Sequence, residues 1–217
     1  MPDFKIEENL HVSGAVFGLD EAGRGPWCGP VVAACVYWPN FEIPEELITQ
    51  IDDSKKLTPL KRARLYEQII SSNAVYGIGI ASSSEIDEYN ILEATFLAMK
   101  RALEQVKTNQ HLTPAYALID GNRLPKNWSL PTKAVIKGDH LSLSIASASI
   151  LAKVTRDRLM TEMAHLYPQY GWEKNAGYGT KEHIEAIEKY GITPFHRRSY
   201  APIKKYLQTH TNSVGSI

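Results

Sequence analysis

Asp20 and Glu21 are adjacent acids that follow an apolar run, Ala15-Val16-Phe17-Gly18-Leu19, and lead into Ala22-Gly23-Arg24-Gly25. The apolar run reads as a buried strand. Two carboxylates at its end would each lose solvation beside a like charge. A divalent cation offsets both charges at once. The glycines clear side chains from the place where an arginine and bare backbone amides are presented, an arrangement suited to gripping a phosphodiester beside a metal. Two more acids take similar positions: Asp120 ends the run Tyr116-Ala117-Leu118-Ile119, and Asp139 follows Ala134-Val135-Ile136-Lys137-Gly138. Ligand sites of open α/β sheets lie beyond the carboxyl ends of strands, so three converging strand ends would gather all four acids. Mg2+ and Mn2+ favour oxygen ligands, and a pair of such ions about 4 Å apart stabilises the attacking and leaving oxygens of phosphoryl displacement. Each acid alone is unremarkable, Asp120-Gly121 being a common turn pair; the signal lies in the combination. Alternation along a strand sets one condition. Asp20 and Glu21 share a site only if the strand breaks at Glu21, and Gly23 and Gly25 make such a break reasonable.

The elements that must position these acids follow from pattern. Val31–Trp38 reads as a second buried strand and Ala74–Ala81 as a third. Between them Thr58-Pro59 starts a helix, with Leu60, Tyr66, Ile69 and Ile70 as a partial apolar face. A long helix from about Ser84 carries Ile86, Tyr89, Leu92, Phe96, Met99, Leu103 and Val106 at steps of three or four. Ser142 to about Tyr167 is a second long helix with a small, apolar first half, and Thr180 caps a third from Lys181 to Tyr190. Close-spaced early strands predict antiparallel pairing and the later helical crossover predicts a parallel neighbour. The expectation is a five-stranded mixed sheet flanked by helices.

The chain of 217 residues suits one domain with a small appendage. No apolar run is long enough to span a membrane, and the acidic, polar segment Met1–Leu10 lacks the character of a signal peptide. Cys28 and Cys35 would lie roughly 23 Å apart in an extended segment, too far for a disulfide, which makes the cytoplasm the expected compartment. The zero net charge hides an asymmetry: residues 1–132 carry 12 Lys/Arg against 17 Asp/Glu, and residues 133–217 carry 12 against 7. A polyanion-binding face would draw on the second part.

The motifs taken together resemble bacterial type 2 ribonucleases H (the ribonuclease HII family). The resemblance rests on Gly18–Gly25 with Gly29–Ala34 behind it, Asp53-Ser54-Lys55-Lys56-Leu57, Ile119–Asn122, Lys137-Gly138-Asp139, Ala148–Asp157, Gly177–Thr180 and His196–Ser199, in family order from about residue 16 to 205. It implies a ribonuclease H-like catalytic domain over residues 14–165, an N-terminal arm over 1–13, a helical substrate-binding extension over 166–207 and a flexible tail over 208–217. It implies an endonuclease that cuts the RNA strand of RNA–DNA hybrids, and the 5′ side of single ribonucleotides in duplex DNA, in ribonucleotide and primer removal. Carried over by motif, Asp20, Glu21, Asp120 and Asp139 hold two Mn2+ or Mg2+ ions. One ion, on Asp20 and Asp120, activates water, and the other, on Glu21 and Asp139, stabilises the leaving 3′ oxygen. Gly23, Arg24 and Gly25 read the ribose 2′-hydroxyl, the group that separates RNA from DNA. Tyr178 packs on the sugar of the neighbouring deoxynucleotide. Ser54, Lys55, Lys56, Arg197 and Arg198, with Lys181, are candidate phosphate contacts. Asp157, between Arg156 and Arg158 with Lys153 one turn back, is expected to be a paired structural acid and is the fallback fourth ligand. A monomer without membrane partners is expected. Two alternatives stand beside this reading: a DNA-only nuclease or strand transferase of the same fold, and a non-catalytic hybrid-binding module.

Overall fold

A computed structural model describes residues 1–51, 54, 57–109, 112–126, 128 and 130–211. Five strands, β1 (Ala15–Ala22), β2 (Val31–Tyr37), β3 (Val75–Ala81), β4 (Pro114–Asp120) and β5 (Thr132–Val135), form one sheet in the order β3-β2-β1-β4-β5. The β1–β2 and β2–β3 pairs are antiparallel, and β1–β4 and β4–β5 are parallel. This is the mixed sheet that the strand spacing predicts. Because β1, β4 and β5 run the same way, their carboxyl ends meet at one edge, which places Asp20, Asp120 and the turn holding Asp139 together.

Among the described residues the helices are α1 (Lys5–Glu8), α2 (Glu45–Ile48), α3 (Pro59–Ile70), α4 (Ser83–Tyr89), α5 (Ile91–Asn109), α6 (Leu143–Leu166), α7 (Trp172–Asn175), α8 (Lys181–Tyr190) and α9 (Ala201–Thr211). The caps fall where hydroxyls promise them. Thr58 accepts from the Lys61 amide at 3.3 Å, Ser142 from Ile145 at 3.1 Å and Thr180 from His183 at 3.3 Å. The single helix expected from Ser84 is two helices. Asn90 sits at φ 71° and ends α4, then its side-chain oxygen accepts from the Leu92 and Glu93 amides to start α5. In α3, Leu65 and Ile69 carry the buried face, while Leu60 is 84% exposed. The expected tail at Gln208 is still helical, since α9 runs to Thr211.

One sheet face packs on α5, with Phe17, Leu19, Val31, Ala33 and Cys35 against Ala94, Ala98, Met99 and Ala102. The other packs on α6 and α3, with Ala34 and Val36 among Ala146, Ile150, Leu151, Leu65 and Ile69. A third cluster joins the end of α6 to the C-terminal helices: Cys28, Met160, Met163, Tyr170, Trp172, Ala186, Ile187 and Ile203. The N-terminal arm is tied down by Glu7, a buried carboxylate that accepts from Ser142 Oγ at 2.6 Å. Cys28 and Cys35 are both buried and free.

Sheet and helix approach closely at Gly18, where an added Cβ would collide with the Ser144 backbone. Only glycine lets β1 lie this near α6, and the approach sits two residues before Asp20. Gly18→Ala is expected to destabilise the fold by about 1–3 kcal/mol through overpacking. Thermal melting measures this, and an unchanged midpoint would show that α6 can lift away from β1 freely.

Candidate active site

Asp20 is only 4% exposed. Along β1, Val16 packs on Ile145 and Gly18 faces Ser144, so Asp20 shares the α6 face, whereas Phe17 and Leu19 look toward α5. The parallel register pairs Gly18 with Leu118 and Leu19 with Ile119. One residue further, Asp20 lies beside Asp120 on the same face, at the roughly 4.8 Å spacing of neighbouring strands. Burial, then the charges of Glu21 and Asp120, push the Asp20 carboxyl well above the ordinary carboxylate range. A hydrogen bond from Ser149 and one from the Glu21 amide at 2.7 Å oppose that rise.

The expected break of the strand at Glu21 does not occur. Glu21 pairs with Ala33 and Ala22 with Val32, and the first departure is Gly23 at φ 98°. The Glu21 charge still raises the Asp20 pKa, so the two acids adjoin at the end of an unbroken strand and the break is not needed to bring them together. Asp120 Oδ1 accepts from the Gly138 amide at 2.7 Å. That bond pins the turn after β5, where Lys137 is left-handed at φ 57° and Gly138–His140 form one 3-10 turn. Asp139 stands on this turn, 5% exposed, four residues beyond the end of β5.

Among the described residues no three His, Cys, Asp or Glu side chains form a ready metal cage. The acids form an open, oxygen-only group around a carboxylate opposed by two like charges. Such a donor set fits a hard divalent cation of the kind that completes its shell with substrate phosphate.

Beyond β1 the chain turns away in the segment Gly23–Pro30. A Cβ on Gly23 would collide with the Arg156 guanidinium, so glycine is required there for space as well as for its positive φ. Arg24 is exposed, 3.4 Å from Glu21 Oε1. Tyr178 is 50% exposed, and its ring lies against Gly25, 3.3 Å from where a Cβ would stand. The Gly-Arg-Gly loop and the tyrosine thus form one surface beside the acids.

The basic candidates divide. Arg197 is fully buried, and its guanidinium donates to the carbonyls of Gly23 (2.6 Å), Arg24 (3.0 Å), Gly29 (2.9 Å) and Pro30 (3.2 Å). It is a scaffold for the loop rather than a phosphate contact, because its donors are spent on backbone. Ser54 is also buried, with its hydroxyl 2.9 Å from Ser149 Oγ, so it supports the Asp20 pocket from behind instead of facing solvent. Arg198 is exposed, and Lys181 is exposed near Glu185 at 3.7 Å. Lys55 and Lys56 lie outside the described residues, as does Asp53. Asp157 pairs with Lys153 at 2.6 Å and with Arg62 at 3.8 Å, the structural pairing that its flanking cations imply.

Sequence reasoning missed Ser149 and Arg156. Arg156 donates to Pro30, Ala176 and Cys28 carbonyls at 3.0–3.1 Å and holds the loop from the α6 side. Burial, then the nearby Arg197 charge, lower its pKa to about 10. A motif match marks such an arginine but does not tell an inward guanidinium from an outward one.

The raised Asp20 pKa has a stability consequence. A carboxyl whose folded pKa is raised adds stability that is present below its unfolded value and lost as pH rises through the folded value. The metal-free protein should therefore melt lower at pH 8 than at pH 5. Asp20→Asn should raise the pH 8 midpoint by a few degrees, at roughly 2–4 °C per kcal/mol for a chain of this size. Added Mn2+ should stabilise the parent protein at pH 8 and the variant much less. Melting curves with and without Mn2+ at both pH values decide this.

Comparison with known proteins identifies the family of the whole chain. The family model described as "Ribonuclease HII" matches residues 17–203. A ribonuclease HII from Paramagnetospirillum magneticum is 48% identical over 95% of this chain and 99% of its own length. One from Wolbachia of Brugia malayi is 53% identical over 93% of this chain and 94% of its own. The crystal structure of ribonuclease H2 from Pyrococcus horikoshii OT3 superposes with a TM-score of 0.72 at 28% identity, covering 91% of this chain and 99% of that one. With the fold and nearly the whole length in common, the chain belongs to the ribonuclease HII family and is an endoribonuclease of the type 2 ribonuclease H class.

Proposed function

We propose that this chain cuts the RNA strand of RNA–DNA hybrids, and the 5′ side of a single ribonucleotide embedded in duplex DNA, leaving 3′-hydroxyl and 5′-phosphate ends. The observation that carries this reading is the junction of two features. Buried Asp20 sits under the charges of Glu21 and Asp120, and the strand that bears it runs directly into a glycine loop faced by Tyr178. One feature handles phosphate and the other handles sugar.

Asp20, Glu21, Asp120 and Asp139 are the residues to hold two divalent ions, Mn2+ or Mg2+, with substrate. Bound there, such ions would neutralise charge on the scissile phosphate and acidify the attacking water. The chain's own groups do the rest. Asp20 and Asp120 offer oxygens from one face of adjacent strands. The Gly23–Gly25 backbone offers its polar groups to the 2′-hydroxyl, Gly25 leaving no Cβ beside the Tyr178 ring, and Arg24 stands beside Glu21 to meet phosphate. Tyr178 offers a flat ring to the next sugar, and its hydroxyl can hold a polar group. No covalent intermediate is required. A DNA-only nuclease would meet no 2′-hydroxyl for the Gly23–Gly25 loop to read. The reading includes a monomer acting in the cytoplasm without membrane partners; among the described residues no helix is long and apolar enough to cross a membrane.

One assay tests it. An RNA–DNA hybrid, a single-ribonucleotide duplex and an all-DNA duplex are each offered with Mg2+, with Mn2+ and with chelator. Expected are metal-dependent cleavage of the first two, a cut at the DNA–RNA junction in the second, and an intact third. Asp20→Asn and Asp120→Asn should each lose about a hundredfold or more. Failure to cut the single-ribonucleotide duplex at its junction sinks the type 2 assignment. Full metal-dependent activity in either variant sinks the acid assignment.

A further inference from the structure

Tyr178 is half-exposed, yet its main chain is held from inside the C-terminal segment. Its amide donates to the Asn175 carbonyl at 2.9 Å, and its carbonyl accepts from the Thr180 amide at 2.8 Å. The same carbonyl lies 2.9 Å from His183 Nδ1. His183 and His196 are both buried, with their Nε2 atoms 3.1 Å apart.

Their protons are fixed by their neighbours. The Thr193 amide donates to His196 Nδ1 at 2.9 Å, so the His196 proton is on Nε2 and points at His183. His183 Nε2 also accepts from Trp172 Nε1 at 3.1 Å, so the His183 proton is on Nδ1 and points at the Tyr178 carbonyl. The chain of donors therefore runs one way: Thr193 to His196 to His183 to Tyr178. Tyr170, Trp172 and Trp27 ring the pair with aromatic faces, centroid to centroid at 5.3–6.3 Å. Burial lowers both histidine pKa values, that of His196 to about 4, so both rings are neutral at pH 7.

The residue after His196 is Arg197, which holds the carbonyls of Gly23 and Arg24. Main-chain bonds from Arg197 to Trp27, from Trp27 to Gly177 and from Gly29 to Phe195 lock the same segments together. Two consecutive residues thus govern the two sides of one surface: Arg197 the loop, and His196, through His183, the tyrosine.

We infer that His183 and His196 are positioning residues for sugar recognition, holding the Tyr178 ring at its distance from the Gly23–Gly25 loop. The inference rests on the role given above to Tyr178. A continuous RNA strand has no deoxynucleotide neighbour for the ring, so the positioning matters most for the single-ribonucleotide duplex.

The test compares kcat and KM of the full chain on the single-ribonucleotide duplex and on the RNA–DNA hybrid, with Mn2+, for four variants: His183→Leu, His183→Asn, His196→Gln and Tyr178→Ala. Melting curves check that each is folded. His183→Leu should lower kcat/KM on the ribonucleotide duplex about tenfold, chiefly through KM, and on the hybrid by about twofold at most. His183→Asn, which keeps a donor near the Tyr178 carbonyl, should recover most of the loss. In a Tyr178→Ala background His183→Leu should have no further effect. If His183→Leu does not fold, the His196→Gln variant, which breaks the donor chain at Thr193, should show the same substrate bias more weakly. Equal losses on both substrates, or losses additive with Tyr178→Ala, overturn the inference and leave the role of Tyr178 standing. An unchanged ribonucleotide-duplex KM in Tyr178→Ala overturns that role, and the inference with it.

Discussion

The ladder between β1 and β4 runs in parallel register from Val16–Tyr116 to Leu19–Ile119, and its continuation by one residue sets Asp20 beside Asp120. A slip of one residue would turn either acid into the α5 core, because side chains alternate faces. The register is held by an apolar layer on the α6 side, Val16, Leu118, Val135 and Ile145, directly before the acids. The layer ends where the charges begin. Asp120 then ties down the next strand by accepting from Gly138, which fixes the turn that carries Asp139. One strand pairing therefore orders three of the four acids, and the fourth, Glu21, extends the same strand.

Buried guanidinium groups do for the loop what the ladder does for the strands. Gly23–Pro30 leaves the sheet without a strand partner for its carbonyls, and buried carbonyls must find donors. Arg156 from α6 and Arg197 from the C-terminal segment supply them, converging on the Pro30 carbonyl from two sides. Burial, and after it the Arg197 charge, lower the pKa of Arg156. Their cost is offset by fork geometry that reaches several carbonyls at once. These two arginines are among the twelve cations of the basic C-terminal part, so the charge split overstates what that part can present to a polyanion.

Much of the fold was legible. Alternating and continuous apolar runs located all five strands, the hydroxyl caps Thr58 and Thr180 located two helices, and a small apolar run located the helix from Ser142, since these signals act within a few residues. The break at Asn90 was not legible, because Ile86, Tyr89, Leu92 and Phe96 keep helical spacing across it while a left-handed residue interrupts the backbone. Leu60 looked like part of an apolar face and is solvent-exposed, because Arg62 from the same helix turns inward instead. The four acids were legible through strand ends. The manner in which Asp20 and Glu21 adjoin was not: a break was expected, and an unbroken strand is found up to Gly23.

By itself the sequence determined the order of elements and the acids at the strand ends. Each of these depends on backbone geometry, which neighbouring residues dictate. The tertiary structure decided the direction of the long polar side chains. Arg197 and Ser54 read as surface groups from their motifs and are spent inside the protein, while Tyr178 reads as an exposed ring and is one. Histidines scattered along the chain, His183 and His196, become a hydrogen-bonded pair. The role of a guanidinium, hydroxyl or imidazole depends on which distant donor or acceptor the fold brings to its tip, and that partner is chosen by packing.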